Sequence, residues 1–235
     1  MNGTLYGLGI GPGDPELITL KALRILKSTN VLAYPALEDG DSLARSIVAE
    51  HLDGHHEEIT IRIPMTAARF PAQDVYDGAA TELGVHLNAG RDVAVLCEGD
   101  PFFYGSFMYL FGRMSENHAV EVVPGVSSLM ACATTLGAPL AARNDVLSVV
   151  PATLSSEQLT AKISTVDAVA IIKVGRHLEK VRQVLRDMGL SEHARYVEHA
   201  TMKSERILEL DAVDEDAAPY FSMILVHCRG NAWHV

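Results

Sequence analysis

Val93–Cys97 is an uninterrupted apolar run that stops abruptly at Glu98-Gly99-Asp100-Pro101. A strand that is apolar on both faces belongs inside a sheet covered on both sides, which points to parallel strands flanked by helices. Two carboxylates, a glycine and a proline are poor packing material. They fall at the carboxyl end of a strand, where open α/β sheets bind their ligands. Phe102, Phe103 and Tyr104 follow, and a helical pattern begins near Ser106. The chain is therefore expected to be built around a sheet edge that carries a site here.

The flanking sequence repeats the alternation. Residues 4–10 read as a first strand running into Gly7-Leu8-Gly9-Ile10-Gly11-Pro12-Gly13-Asp14. Asp14 can cap the next helix, with Pro15 at its first position and Leu17, Leu20, Leu23, Ile25 and Leu26 as its buried stripe. Residues 31–34 and 58–63 read as strands, the latter stopped by Pro64, with a helix over 42–52 between them, closed by Asp53-Gly54. Val75, Ala79, Leu83 and Leu87 mark a long amphipathic helix ended by Gly90. Phe107, Leu110, Phe111 and Met114 mark the helix after the central strand, and residues 121–123 a fifth strand broken by Pro124-Gly125.

Beyond that break the rhythm changes. Residues 128–136, a stretch capped by Ser155 or Ser156, and 178–188 read as helices, with strands at 147–150 and 169–173. Strand candidates at 195–199, 206–210 and 222–227 then follow without helices between them, so they must pair antiparallel. The expected architecture is α/β with two α/β domains, 1–124 with a mostly parallel sheet and the glycine-rich loop, and 125–235 with a mixed sheet.

Composition narrows the function. The chain has 235 residues, 48% of them hydrophobic, and a formal net charge of −11. Neutralising phosphates takes a basic face, so no nucleic-acid partner is expected. No apolar run approaches the ~20 residues that span a bilayer, and no secretory signal is visible at the N-terminus. The three scattered cysteines form no Cys-x-x-Cys pair, which fits a reducing, cytoplasmic setting. No His-x-x-x-His or His/Cys spacing appears around His55-His56 or His177, so no protein-bound metal is expected.

The glycine-rich turn alone is a weak signal. Pro12 stands where a dinucleotide fingerprint wants its third glycine, and no lysine appears before Lys21, as a P-loop would need. A tight strand-to-helix turn explains it equally well, as does a backbone stripped for close approach. The odds change because the first, fourth and fifth strands all end in such breaks, the third being Pro124-Gly125-Val126-Ser127-Ser128. The side chains there are carboxylates, hydroxyls and aromatics, without Lys or Arg. Carboxylates accept from ribose hydroxyls, Ser127 and Ser128 can cap a helix or hold a ligand, and the three aromatics offer a wall for a base. That is a pocket for a nucleoside without phosphates, and S-adenosylmethionine is the commonest such cofactor.

Residues 7–14, 98–105 and 122–128, in that order and spacing, resemble the recurrent motifs of the tetrapyrrole (corrin and porphyrin) methylases, over nearly the whole chain. Cys97-Glu98-Gly99-Asp100-Pro101-Phe102-Phe103-Tyr104-Gly105-Ser106 looks most like the C20-methylating branch that acts on precorrin-2 in cobalamin biosynthesis. The resemblance implies two α/β domains with the active-site cleft between them, S-adenosylmethionine as methyl donor, and a homodimer. It implies cofactor contacts at Pro12, Gly99, Asp100, Phe103, Ser127, Ser128, Val174 and Ala200. Glu98 replaces the first glycine of the Gly-Gly-Asp found in uroporphyrinogen methylases, Val174 stands where several relatives have methionine, and Ala200 where they often have glycine.

The implied reaction is methyl transfer from the sulfonium to C20 of precorrin-2, giving precorrin-3A. Alignment and exclusion of water are the main tasks of such a catalyst. Glu98, Asp100 and Tyr104 are candidates for a base, each with an alternative structural or cofactor-binding role. Arg62, Arg69, Arg113, Arg143, Lys203 and Arg206 are the basic residues placed to pair with substrate carboxylates, and two or three are expected to do so. The alternatives are the cobalt complex of precorrin-2 as substrate, a sibling methylase acting at another ring position, or a non-catalytic nucleotide-binding protein.

Overall fold

The structure is a computed structural model that describes residues 2–38, 40–63, 73–214 and 216–234. The chain divides into two units, Met1–Ser127 and Ser128–Val235, so the division falls a few residues past Pro124-Gly125.

In the first unit, β1 (Thr4–Gly9), β2 (Val31–Leu37), β3 (Glu57–Ile63), β4 (Val93–Cys97) and β5 (Ala119–Val123) form one sheet in the order β3-β2-β4-β1-β5. Every pairing in it is parallel. β4 is buried along its whole length. Val93, Val95 and Cys97 face a core built with α3 (Gln73–Asn88) and α4 (Phe107–Met114), while Ala94 and Leu96 face one built with α1 (Leu20–Ser28) and α2 (Leu43–Ile47). Period-two alternation thus splits one apolar run between two cores.

Two helices differ from their sequence reading. Asp14 does cap, accepting from the Glu16 N–H at 2.8 Å, but the turn it caps is a single 3-10 turn, Pro15–Leu17. Thr19 then caps α1 separately, which turns Leu20 outward at 85% exposure and leaves Ala22, Ile25 and Leu26 as the buried stripe. The stretch 42–52 starts at the Ser42 cap but breaks after Ile47 into a 3-10 turn, Ala49–His51. Pro64 lies outside the described residues.

The second unit holds β6 (Leu147–Pro151), β7 (Ala168–Ile172), β8 (Ala194–Glu198), β9 (Arg206–Leu208) and β10 (Ser222–His227), in the order β6-β7-β10-β8-β9. β6 and β7 are parallel, and β10 inserts antiparallel between β7 and β8. The sheet is mixed, as the helix-free succession of late strands requires. β9 stops at Leu208, short of the expected 210, because a 3-10 turn begins at Leu210. α5 (Ser128–Thr135) opens the unit, and α6 (Ser156–Ile163) and α7 (Leu178–Asp187) pack against one face of its sheet. α6 starts in a full capping box between Ser155 and Gln158, an arrangement worth about 1 kcal/mol.

Asp145 ties the loop before β6 to the end of β10. Its carboxylate accepts from Arg229 at 2.7 Å, from the Ala142 N–H at 2.8 Å, and lies 3.1 Å from His227 Nε2. The Arg229 guanidinium foremost, then these other partners, hold its pKa down to about 2. A carboxyl whose folded pKa lies below its unfolded value stabilises fully above the ordinary Asp range and loses that contribution as pH falls. Denaturation curves of the wild type should therefore lose stability between about pH 4 and pH 2, and Asp145→Asn should flatten that part of the profile.

Candidate active site

Because β4, β1 and β5 are neighbours in a parallel sheet, the loops at their carboxyl ends lie side by side. They interlock through backbone. The Gly99 N–H donates to Gly11 O at 2.8 Å, the Gly11 N–H to Gly99 O at 3.4 Å, and the Ile10 N–H to Cys97 O at 3.1 Å. A Cβ on Gly125 would stand 2.0 Å from Gly99 O, and one on Gly9 would stand 2.4 Å from the Gly125 nitrogen. What lies against these two stripped positions is the backbone of a neighbouring loop. Gly11 and Gly99 have φ of +84° and +65°, in the left-handed region that glycine adopts without strain.

Asp100 closes the arrangement. Its Oδ1 accepts from the Phe102 N–H at 2.9 Å and its Oδ2 from the Gly125 N–H at 3.1 Å, so one carboxylate joins the loops after β4 and β5. The Glu98 carboxyl is pushed up by burial, an effect opposed by its own N–H and that of Ala44 in the first turn of α2. Pro12 is buried beside Gly11. The aromatic run does not form one wall. Phe102 packs on Phe107 and Phe111 of α4, with ring centroids 6.3 and 5.1 Å away, while Phe103 and Tyr104 meet edge to face at 5.2 Å.

In the second unit, Val174 and Ala200 follow β7 and β8, which run in the same direction on either side of β10. Both are buried and sit at the same sheet edge, near the start of β10. Lys173, His199 and Thr201, which flank them, have φ of +58°, +48° and +69°, and Tyr104 in the first unit has +56°. Non-glycine residues held there cost roughly 1–3 kcal/mol each and cluster at functional sites. Four of the five such residues among the described residues lie past the carboxyl ends of β4, β7 and β8; the fifth, Arg143 at +50°, lies in the loop before β6. In the sequence Lys173 and His199 stand out only as strand ends and Thr201 not at all; the signals beside them are Val174 and Ala200, which stand where relatives often have methionine and glycine.

The sequence profile of the Tetrapyrrole (Corrin/Porphyrin) Methylases matches residues 4–214. The chain belongs to this family. It is 40% identical over 232 residues to a precorrin-2 C(20)-methyltransferase of Sinorhizobium sp, covering 95% of both chains. It is also 40% identical to the cobalamin biosynthesis protein CobIJ of Mycobacterium tuberculosis, of whose length it spans about half, 46%. Among solved structures, it superposes with a TM-score of 0.67 and 25% identity on a uroporphyrin-III C-methyltransferase of Thermus thermophilus complexed with S-adenosylhomocysteine, covering 96% of this chain and 92% of that one.

Among the basic residues that a tetrapyrrole's carboxylates would need, several are already engaged. Arg62 donates to Leu37 O and Gly40 O. Arg113 is held by Asp77 and Gln73 of α3. Arg206 lies 3.4 Å from the buried Glu198. Arg143 and Lys203 are exposed and form no ion pair among the described residues, and Arg69 lies outside those residues. The second unit also holds a cavity of about 40 Å³ lined by Leu147, His193, Arg195 and His227, at the opposite sheet edge from Val174 and Ala200. It has room for about one water, far short of a nucleoside. Asp53, His55 and His56, three residues without ligand spacing in the usual sense, bring their ligand atoms within 4.8 Å of one another.

Proposed function

We propose that the chain is an S-adenosylmethionine-dependent C-methyltransferase that methylates C20 of precorrin-2 to give precorrin-3A in cobalamin biosynthesis. The observation that carries this reading is the set of interlocked loops after β4, β1 and β5, which present carboxylates, hydroxyls, aromatic rings and backbone but no Lys or Arg. That donor set fits a nucleoside lacking phosphates and does not fit a nucleotide. Pro12, Gly99, Asp100, Phe103, Ser127, Ser128, Val174 and Ala200 are the residues assigned to the methyl donor. When bound, S-adenosylmethionine supplies an electrophilic methyl group on a sulfonium. The chain's residues hold the donor and acceptor in line and keep water out, which is the main requirement when the acceptor carbon is already electron-rich.

Of the three candidates for a base, Asp100 has both oxygens engaged by backbone N–H groups, so it is assigned no proton transfer: it fixes loop shape and keeps its remaining lone pairs for the methyl donor. Glu98 is half-buried, accepts from the Ala44 N–H in the first turn of α2, and is assigned the same kind of role. Tyr104, 46% exposed and held at positive φ, is assigned to substrate contact. Glu98→Gln keeps an acceptor for the Ala44 N–H, so kcat should change by less than about tenfold. A drop of about a hundredfold or more, the size general-base loss produces, would return Glu98 to the chemistry.

Arg143 and Lys203 are the basic residues assigned to substrate carboxylates. Arg143→Glu and Lys203→Glu should raise the substrate's KM and leave S-adenosylhomocysteine affinity unchanged; loss of cofactor affinity instead would argue against the assignment. The test of the function as a whole is calorimetry with S-adenosylhomocysteine, followed by turnover of precorrin-2 and of its cobalt complex. Absence of binding at micromolar concentrations would overturn every methylase reading. No helix among the described residues is long and apolar enough to cross a membrane. A cytoplasmic homodimer is the setting we infer, from the scattered cysteines and from the family's habit of pairing.

A further inference from the structure

We propose that Asp53, His55 and His56 form a binding site for a divalent cation of the zinc type, in the turn that precedes β3. Gly54, at φ +85° with open space around it, lets the chain fold Asp53 back beside His55. The ligand atoms of the three side chains then lie within 4.8 Å of one another.

The tautomers follow from the partners of the other ring nitrogens. His55 Nε2 lies 3.2 Å from Thr29 O, and His56 Nε2 lies 2.9 Å from Leu26 O. A carbonyl oxygen only accepts, so each Nε2 carries a proton and donates it; His56 is then left with its lone pair on Nδ1, while on His55 the Nδ1 faces a carboxylate that holds a second proton there until a metal displaces it. Imidazoles that bind metals are oriented in this way, with the second nitrogen donating to a backbone carbonyl. His56 Nδ1 is buried and has no hydrogen-bond partner, an orphaned acceptor in a place where water does not reach it. His55 Nδ1 is in close contact with the Asp53 carboxylate. A proton on His55 would satisfy that contact but would do nothing for His56. A cation that takes the place of that proton, opening the Asp53–His55 contact to admit itself between the carboxylate and the two Nδ1 atoms, satisfies all three.

Two imidazole nitrogens and one carboxylate oxygen suit zinc and its neighbours, and suit magnesium or calcium poorly. Asp53 and His55 are exposed, which gives an ion a way in and leaves room for water as a further ligand. The anchoring carbonyls belong to the end of α1 (Leu26) and its C-cap (Thr29), and the next residues pair Val31 with Glu57 at the amino ends of β2 and β3. The site therefore lies at the opposite sheet edge from the loops assigned to the methyl donor. Its role is a clip that fastens the 53–56 turn to α1, independent of the chemistry.

The test is equilibrium dialysis of the full chain, stripped with a chelator, against Zn2+, with melting curves in parallel. Wild type should take up one zinc per chain at low micromolar free metal and melt at a higher temperature with it. Asp53→Asn and His55→Ala alter exposed positions and leave the cores intact; each should weaken zinc by about tenfold or more and abolish the thermal shift, as should His56→Ala. Zinc uptake unchanged in Asp53→Asn and His55→Ala, which would place the metal on other histidines, or no uptake by wild type, would overturn the proposal.

Discussion

Gly125→Ala should destabilise the first unit by roughly 1–3 kcal/mol and abolish binding of S-adenosylhomocysteine. The added Cβ would stand 2.0 Å from Gly99 O and 2.8 Å from both Gly9 C and Gly9 Cα. All three neighbours are backbone atoms in loops that are already tied together by the Gly11–Gly99 exchange, so none can rotate away as a flexible side chain would. Relief must come from moving the loops apart, which moves Pro12, Gly99 and Asp100 together. Gly78→Ala provides the contrast. Gly78 lies inside α3 with open space where its Cβ would go, and alanine there should add about 0.5–1 kcal/mol of stability with no effect on ligand affinity. Calorimetry and denaturation of the two variants measure both halves; wild-type affinity in Gly125→Ala would mean the loops are not the site.

Asp100→Ala should follow as the next largest effect. It strands the Phe102 and Gly125 N–H groups, which now donate to a carboxylate at 2.9 and 3.1 Å. Hydrogen bonds to a charged acceptor contribute about 1.5–3 kcal/mol each, so a loss of about 3 kcal/mol is expected overall. Asparagine rescues only part of this, because its amide accepts at one end and donates at the other, and one of the two N–H groups then faces a donor. S-adenosylhomocysteine affinity should fall at least about tenfold in both variants. A loss of stability with unchanged affinity would make Asp100 a structural clasp only.

The parts of this molecule that were legible beforehand share one property: a local pattern determines them. The apolar run Val93–Cys97 could only be a doubly covered strand, and it is β4 residue for residue. A cap at Ser155 or Ser156, which the structure places at Ser155, and the Gly90 and Gly189 helix stops are likewise written in a few adjacent residues. What went unread depends on partners distant in sequence. The break of the first helix at Ile18 rests on Thr19 offering a second cap to Ala22, in competition with Asp14. The reason for Gly9 and Gly125 is the approach of loops more than a hundred residues apart, which three glycine-bearing breaks suggested only collectively. The split of the aromatic run follows from Phe111, on a helix turn whose facing could not be fixed from spacing. Asp53, His55 and His56 carry no metal signal in sequence, because spacing rules count residues, whereas here the carbonyls of Leu26 and Thr29 orient the rings.

The carbon that receives the methyl group is open to direct measurement. Precorrin-2 incubated with the chain and S-adenosylmethionine labelled with 13C in the methyl group should yield a product carrying one new label, assigned by NMR to C20, with one S-adenosylhomocysteine released per ring. The cobalt complex of precorrin-2, run beside it, reports metal preference without changing the expected position. Label at any other ring carbon, or no label in either tetrapyrrole from a chain that still binds S-adenosylhomocysteine, would rule out C20 methylation by this chain.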